Sequence, residues 1–201
     1  MGQAIGRMED FLVHSQMNDG TAIVLRTIHP EDEESLREGI AKLSAESRYL
    51  RFFSPAPTVP DAVVEQLVDV DGVDHLAWGA ICTGCDDPYP IGAVHAVRHK
   101  SGGSAAEYSI AVLDAFHGQG VARMLTAALL IDCHRAGISR LDVFILTENR
   151  AAATLVQSMG AIAHEQDQGM TEWVLNVEEA IHCLRHDENA IGLAQVFAQM
   201  M

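Results

Sequence analysis

No run in the chain approaches the ~18 uncharged apolar residues that a membrane helix needs, so no span is expected. The opening stretch, "MGQAIGRMEDFLVHS", lacks a basic segment followed by a long apolar run, and no secretory leader is expected. Basic residues are scarce, with 13 Lys and Arg against 28 Asp and Glu and a formal charge of −15. Such a surface repels phosphate backbones, which argues against nucleic-acid binding, and it attracts cations. Only four cysteines are present, and two of them, Cys82 and Cys85, stand in "CTGC". Zinc usually takes a second ligand pair, whereas Cys133 and Cys183 are lone and far apart. A redox CxxC opens a helix, whereas this one runs into "DDPYP", a turn. The pair is therefore expected at a strand end, with reduced thiols in a cytoplasmic protein. No metal is expected. His182 and His186 have i,i+4 spacing but read as a solvated helix face, and "DVDGVD" (69–74) lacks the later Glu of a calcium loop. Repeats and low-complexity segments are absent.

What is present suits one α/β domain: 201 residues, 48% of them apolar. "TAIVLRTI" (21–28) reads as a strand. Pro30 followed by "EDEESL" opens a helix with acidic residues in its first turn. A second helix, "ESRYLRFF", stops before the proline-rich "SPAPTVP", and a third covers 60–69. "HLAWGAIC" (75–82), "IGAVHAVRH" (91–99) and "EYSIAVL" (107–113) form an antiparallel meander. From Gly118 to Ala136 the pattern is helical, with Gly137 as a stop. "RLDVFIL" (140–146) is a strand joined through that helix, hence parallel to its predecessor. "NRAAATLVQSMG" is a helix capped by Asn149. "AIAHE" and "TEWVLNV" close the sheet. Residues 178–201 read as a helical C-terminal extension broken near "RHDEN", and residues 1–20 as an N-terminal extension to a domain at 21–177.

One stretch asks for a function. In "FHGQGVARML" (116–125) two glycines stand between a strand and a long helix. A helix start offers unpaired N–H groups and the positive end of a dipole, and glycine lets a phosphate approach the backbone. A P-loop would need Lys-Ser/Thr after Gly120, and a dinucleotide fingerprint a third glycine where Arg123 stands. By itself the motif fits a tight strand-to-helix turn equally well.

These residues resemble the Gcn5-related N-acetyltransferases, which carry R/Q-x-x-G-x-G/A between their fourth strand and the following helix. Here that segment is His117-Gly118-Gln119-Gly120-Val121-Ala122. "NRAAATLVQSMGA" is similar to the family's later N-x-x-A-x-x-L segment, and the likeness covers roughly residues 21–177. "LSAESRYLRFF" (43–53) with "AEYSIAVLDAFHGQGVA" (106–122) resembles the bacterial Pat-type protein-lysine acetyltransferases, whose domain is often fused to another module. The resemblance implies a central mixed, mostly antiparallel sheet flanked by helices, and acetyl-CoA as co-substrate. It places the pyrophosphate on residues 117–122 and the pantetheine arm on freed main chain of Ile110, Ala111 and Val112. Asn149 is implied to reach the cofactor. Two positions depart from the pattern. His117 replaces Arg or Gln, and Val156 stands where many members have a Tyr that protonates the leaving thiolate.

Acetyl transfer needs a base for the amine and donors for the developing oxyanion; a thiolate of pKa about 8.5 leaves with little help. Glu107 is the candidate base. It shares a strand face with Ser109 and Ala111, and Pat-type enzymes have their base at the matching position. The main-chain N–H groups from Ile110 to Val112 are the candidate oxyanion donors. The expected acceptor is a protein lysine, with a small amine such as a polyamine or aminoglycoside as the rival. A non-catalytic acyl-CoA sensor is a further reading, prompted by His117 and Val156. The residues leave the oligomeric state open.

Overall fold

The computed structural model describes residues 11–167 and 169–201. Its strands are β1 (Val13–Gln16), β2 (Ala22–Thr27), β3 (His75–Cys82), β4 (Tyr89–Arg98), β5 (Ala105–Val112), β6 (Arg140–Leu146), β7 (Ile162–Asp167) and β8 (Met170–Asn176). Its helices are α1 (Glu33–Lys42), α2 (Ala45–Phe52), α3 (Asp61–Val68), α4 (Val121–Arg135), α5 (Arg150–Ser158), α6 (Val177–Arg185) and α7 (Leu193–Met200). The strands make one sheet in the order β1-β2-β3-β4-β5-β6-β8-β7. β3, β4 and β5 are the expected antiparallel meander, and β6 joins β5 in parallel through the α4 crossover. None of the described helices is long and apolar enough to cross a membrane.

The period-2 pattern of the meander divides the sheet into two faces. Leu76, Trp78 and Ala80 of β3, with Ala106, Tyr108 and Val112 of β5, turn to one face and meet the main core. α4 fills that side. Ten of its fifteen residues are buried, far more than a one-sided surface helix would show, because α6 and α7 cover its outer side. The polar atoms it buries are paired. Tyr108 Oη and Thr126 Oγ1 lie 2.7 Å apart, and Trp78 Nε1 donates to Asp132 Oδ2 at 2.8 Å. α1, α2 and α3 lie on the opposite face, where Ile28, Val68 and Ala77 form a smaller cluster.

Two features differ from the sequence reading. β1, unassigned above, pairs antiparallel with β2 and extends the sheet at its edge. Cys82 and Cys85 are joined in a disulfide rather than held as reduced thiols. The turn after β3 brings their Cα atoms to 5.6 Å, within the usual disulfide range. Cys133 and Cys183 are free.

Candidate active site

The ladder between β5 and β6 stops early. It pairs Ala105 with Arg140, Ala106 with Leu141 and Glu107 with Asp142, and goes no further. β5 runs on to Val112 against β4, and β6 runs on to Leu146 against β8. The two strands part beyond Glu107, and a cleft of about 960 Å³ opens between and around them.

Register decides which main-chain groups face the gap. Leu113 N–H donates to the Ile91 carbonyl across β4 at 2.8 Å. Alternation along β5 then turns the amides of Tyr108, Ile110 and Val112 towards the open side. Ala111, expected above as a main-chain donor, turns its N–H to β4 instead and lines the cleft without it.

The glycine loop closes the far end. Gly118 and Gly120 have φ of 75° and 82°, a region in which side chains are disfavoured. At Gly120 a Cβ would also lie 2.8 Å from Ala190 Cβ and 3.2 Å from Asn18 Oδ1, whereas Gly118 faces open space. The β1–β2 turn holds this loop by its carbonyls: Asn18 Nδ2 donates to Gly118 O at 3.2 Å and Asn18 N to Gln119 O at 3.1 Å. In a planar trans peptide the next N–H points the opposite way, so the Gly120 amide faces away from that turn. α4 makes its first backward bond from Met124 N to Gly120 O at 3.1 Å. The amides of Val121, Ala122 and Arg123 precede it and have no intrahelical partner. Arg123 is held by Asp187 at 2.6 Å, and Glu188 of the same α6–α7 connection lines the cleft.

The remaining expected residues also border this space. Asn149 caps α5, its Oδ1 accepting from Ala152 N at 3.0 Å, and lines the cleft. Val156, 1% exposed, supplies apolar wall where a Tyr was the family pattern. His117 is exposed, but its Nε2 donates to the Val112 carbonyl at 2.9 Å. Its ring is tethered to the end of β5, leaving Nδ1 as its remaining polar atom.

Glu107 is exposed at the fork of the two strands, on the sheet face it shares with Ser109. α2 covers that face. Arg51, which sequence reasoning did not single out, donates from Nη2 to Ser109 Oγ at 2.8 Å and lines the cleft. Burial lowers its pKa to about 10, and the nearby Glu107 charge opposes that shift. It therefore stays protonated at neutral pH. α2 is anchored by Asp114, which accepts from Ser44 N, Ser44 Oγ and Ser47 Oγ at 3.1, 2.8 and 2.7 Å. Burial alone would raise the pKa of Asp114; the Ser47 and Ser44 hydrogen bonds outweigh it and hold it down at about 2. Behind this layer His95 Nδ1 meets His75 Nε2 at 3.1 Å, and both rings are buried as a pair. His99 instead meets Asp142 at 2.8 Å. His182 is exposed on α6 and His186 is exposed at its C-terminal cap.

A mixed sheet whose adjacent parallel strands part, with a glycine-opened helix at the far end of the gap, defines the class of Gcn5-related acetyltransferases. The chain belongs to that family: residues 22–162 match the acetyltransferase (GNAT) domain. Among known proteins it is 32% identical over 160 residues to the acetyltransferase Pat of Mycolicibacterium smegmatis, covering 78% of this chain. The chain spans about half, 47%, of that relative's length. It is 23% identical over 156 residues to the acetyltransferase PA5475 of Pseudomonas aeruginosa, covering 78% of this chain and 83% of that one. The crystal structure of the GNAT domain of S. lividans PAT superposes with a TM-score of 0.75 at 25% identity, over 83% of this chain and 97% of that one. A putative acetyltransferase from Salmonella typhimurium, solved with acetyl-CoA, shares the fold with a TM-score of 0.61 at 17% identity, over 77% and 94% of the two chains.

Proposed function

We propose that the protein moves an acetyl group from acetyl-CoA to the side-chain amine of a protein lysine, with Glu107 as general base. The observation that carries this reading is the parting of β5 from β6 just beyond Glu107. It leaves a carboxylate at the fork and outward-turned amides one and three residues further along the strand. The gap suits the pantetheine arm, which offers amide groups to the free main chain. The first-turn amides of α4 and the Gly118–Gly120 loop suit the pyrophosphate. The likeness to Pat proteins supports a lysine acceptor.

The chemistry follows from these placements. A lysine ammonium of pKa about 10.4 is almost wholly protonated at neutral pH, so it must lose a proton before it attacks. Glu107 takes that proton, directly or through one water. The nitrogen bonds to the thioester carbon, and the carbonyl oxygen gains negative charge beside the Ile110 amide, which is fixed before reaction. The nitrogen, positively charged after attack, gives up its second proton to solvent, the carbon–sulfur bond breaks, and the leaving thiolate takes up a proton from solvent. Val156 can donate no proton, so departure relies on the low basicity of the thiolate. The −15 charge favours the approach of a cationic acceptor.

Release of free thiol from acetyl-CoA, with a lysine peptide, spermidine and no acceptor in parallel, tests this reading. Acceptor-dependent release with the peptide is expected. Release with spermidine alone would move the reading to a small-amine acetyltransferase. Tight acetyl-CoA binding without release on any amine would favour a sensor.

A further inference from the structure

We propose that Arg51 is a carboxylate-receiving subsite of the cleft, taking a carboxylate carried either on the acyl chain of the donor or on the acceptor. The proposal rests on the reading that this cleft holds an acyl-CoA ester. Other arginines of the chain sit against carboxylates: Arg37 on Glu33 at 2.7 Å, Arg123 on Asp187 at 2.6 Å and Arg140 on Asp142 at 2.7 Å. Arg51 is different. Its partners are the Ser109 hydroxyl and the Phe52 ring, 4.9 Å from its guanidinium carbon. Among the described residues no carboxylate lies within the 4.0 Å of an ion pair with it. Glu107 acts on it only from farther off.

The groups behind Arg51 supply no negative charge either. The Asp69 carbonyl can only accept, so His75 Nδ1, 3.0 Å away, carries the proton. Burial lowers the His75 pKa and favours its neutral ring, whose Nε2 then accepts from His95 Nδ1. Both rings are neutral in this arrangement, and burial followed by the Arg51 charge keeps His95 so. Asp142, the remaining anion near the fork, is taken by His99 and Arg140. A guanidinium fork, partly desolvated and lining the cleft beside the base, thus keeps N–H donors to spare. A planar fork of donors matches a carboxylate, which can accept two parallel bonds. The donor chemistry that fits is a dicarboxylic monothioester such as malonyl- or succinyl-CoA. Its transfer balances as acetyl transfer does: a C–N bond forms, the C–S bond breaks, the first ammonium proton goes to Glu107, the second goes to solvent, and the thiolate is protonated from solvent. The acceptor chemistry that fits is an amino acid with a free α-carboxylate.

The experiment compares acetyl-CoA with malonyl- and succinyl-CoA, and Nα-acetyl-lysinamide with Nα-acetyl-lysine, in the wild type and in Arg51→Gln and Arg51→Lys. Each pair is read as turnover and as affinity by calorimetry. Acetyl transfer to the lysinamide, where neither partner carries a carboxylate, is the reference for the proposed function. Its failure counts against that function alone, since the affinities still report on Arg51. In one of the two arms the carboxylated ligand is expected to be favoured by about 10- to 100-fold, the range of a charge-assisted pair. Arg51→Gln should erase that preference and Arg51→Lys retain part of it, the preference being the ratio of the carboxylated ligand to its uncharged counterpart within each variant. The arm that responds identifies the source of the carboxylate. No preference in either arm of the wild type, or an equal loss on all ligands in Arg51→Gln, would overturn the proposal.

Discussion

Glu107 is the residue on which the proposed chemistry turns. General-base help typically contributes ~10²–10⁴-fold. Glu107→Gln keeps the side chain's size and removes its proton acceptor. It should cut turnover at neutral pH by about that factor, leave acetyl-CoA affinity nearly unchanged, and recover part of the loss as pH rises. Near-wild-type turnover at pH 7 would leave Glu107 as a strand residue and place the base elsewhere. Legibility differs sharply between single residues. Asn149 was readable as a cap, because its helix start follows a strand and a turn, and its Oδ1 does accept from Ala152 N. Ala111 was not readable. Whether its amide faces the cleft depends on pairing with β4, where the Leu113–Ile91 bond sets the alternation. The disulfide was not readable, because it depends on how close the turn after β3 brings Cys82 and Cys85. Arg51 gave no signal of its own, since an arginine in an amphipathic helix is ordinary until its neighbours across the sheet are known.

At the scale of elements, α2 covers the Glu107 face of β5, and Asp114 ties its start in place. Replacing it with Asn should destabilise the fold by roughly 0.5–1 kcal/mol at neutral pH, discounted because the carboxylate is exposed. The pH dependence has a definite sign. The folded pKa of about 2 lies below the ordinary 3.8, so the contribution is whole above pH 3.8 and is lost as pH falls towards 2. Urea midpoints of the two proteins should differ at pH 6 and converge below about pH 4. A difference that persists unchanged to pH 3 would show that the charge of Asp114 is not what holds α2. Strands and helices of the meander and crossover were legible because their apolar segments are long, as in α4, buried without a break from Met124 to Ile131. β1 was not, since "VHSQ" is short and mostly polar and is a strand only because β2 offers it an edge. The parting of β5 and β6 could be expected only from family likeness, because both segments are strongly β-prone throughout.

For the molecule as a whole, net charge and ligand linkage are the readable quantities. A field of −15 should lower the KM for a cationic peptide at low salt, and that KM should rise between about 0.01 and 0.2 M salt as screening shortens from ~30 Å to under ~10 Å. Acetyl-CoA at 100 times its Kd should stabilise the protein by about 2.7 kcal/mol, seen as a rise in Tm. The cleft is assembled from distant parts of the chain, with the β1–β2 turn and the Ala190 segment both packed on Gly120. This makes Gly120 a poor place to probe binding, since any side chain there disturbs packing as well. Gly118, with a positive φ but open space around it, is the better probe. The most direct test of the cleft as an acetyl-CoA site is therefore a calorimetric titration of acetyl-CoA into the wild type and into Gly118→Glu, with both unfolding transitions recorded alongside. Saturable one-to-one binding is predicted for the wild type, weakened at least about tenfold by a carboxylate placed where phosphates approach. Equal affinity in a folded Gly118→Glu protein, or no binding by the wild type, would contradict it.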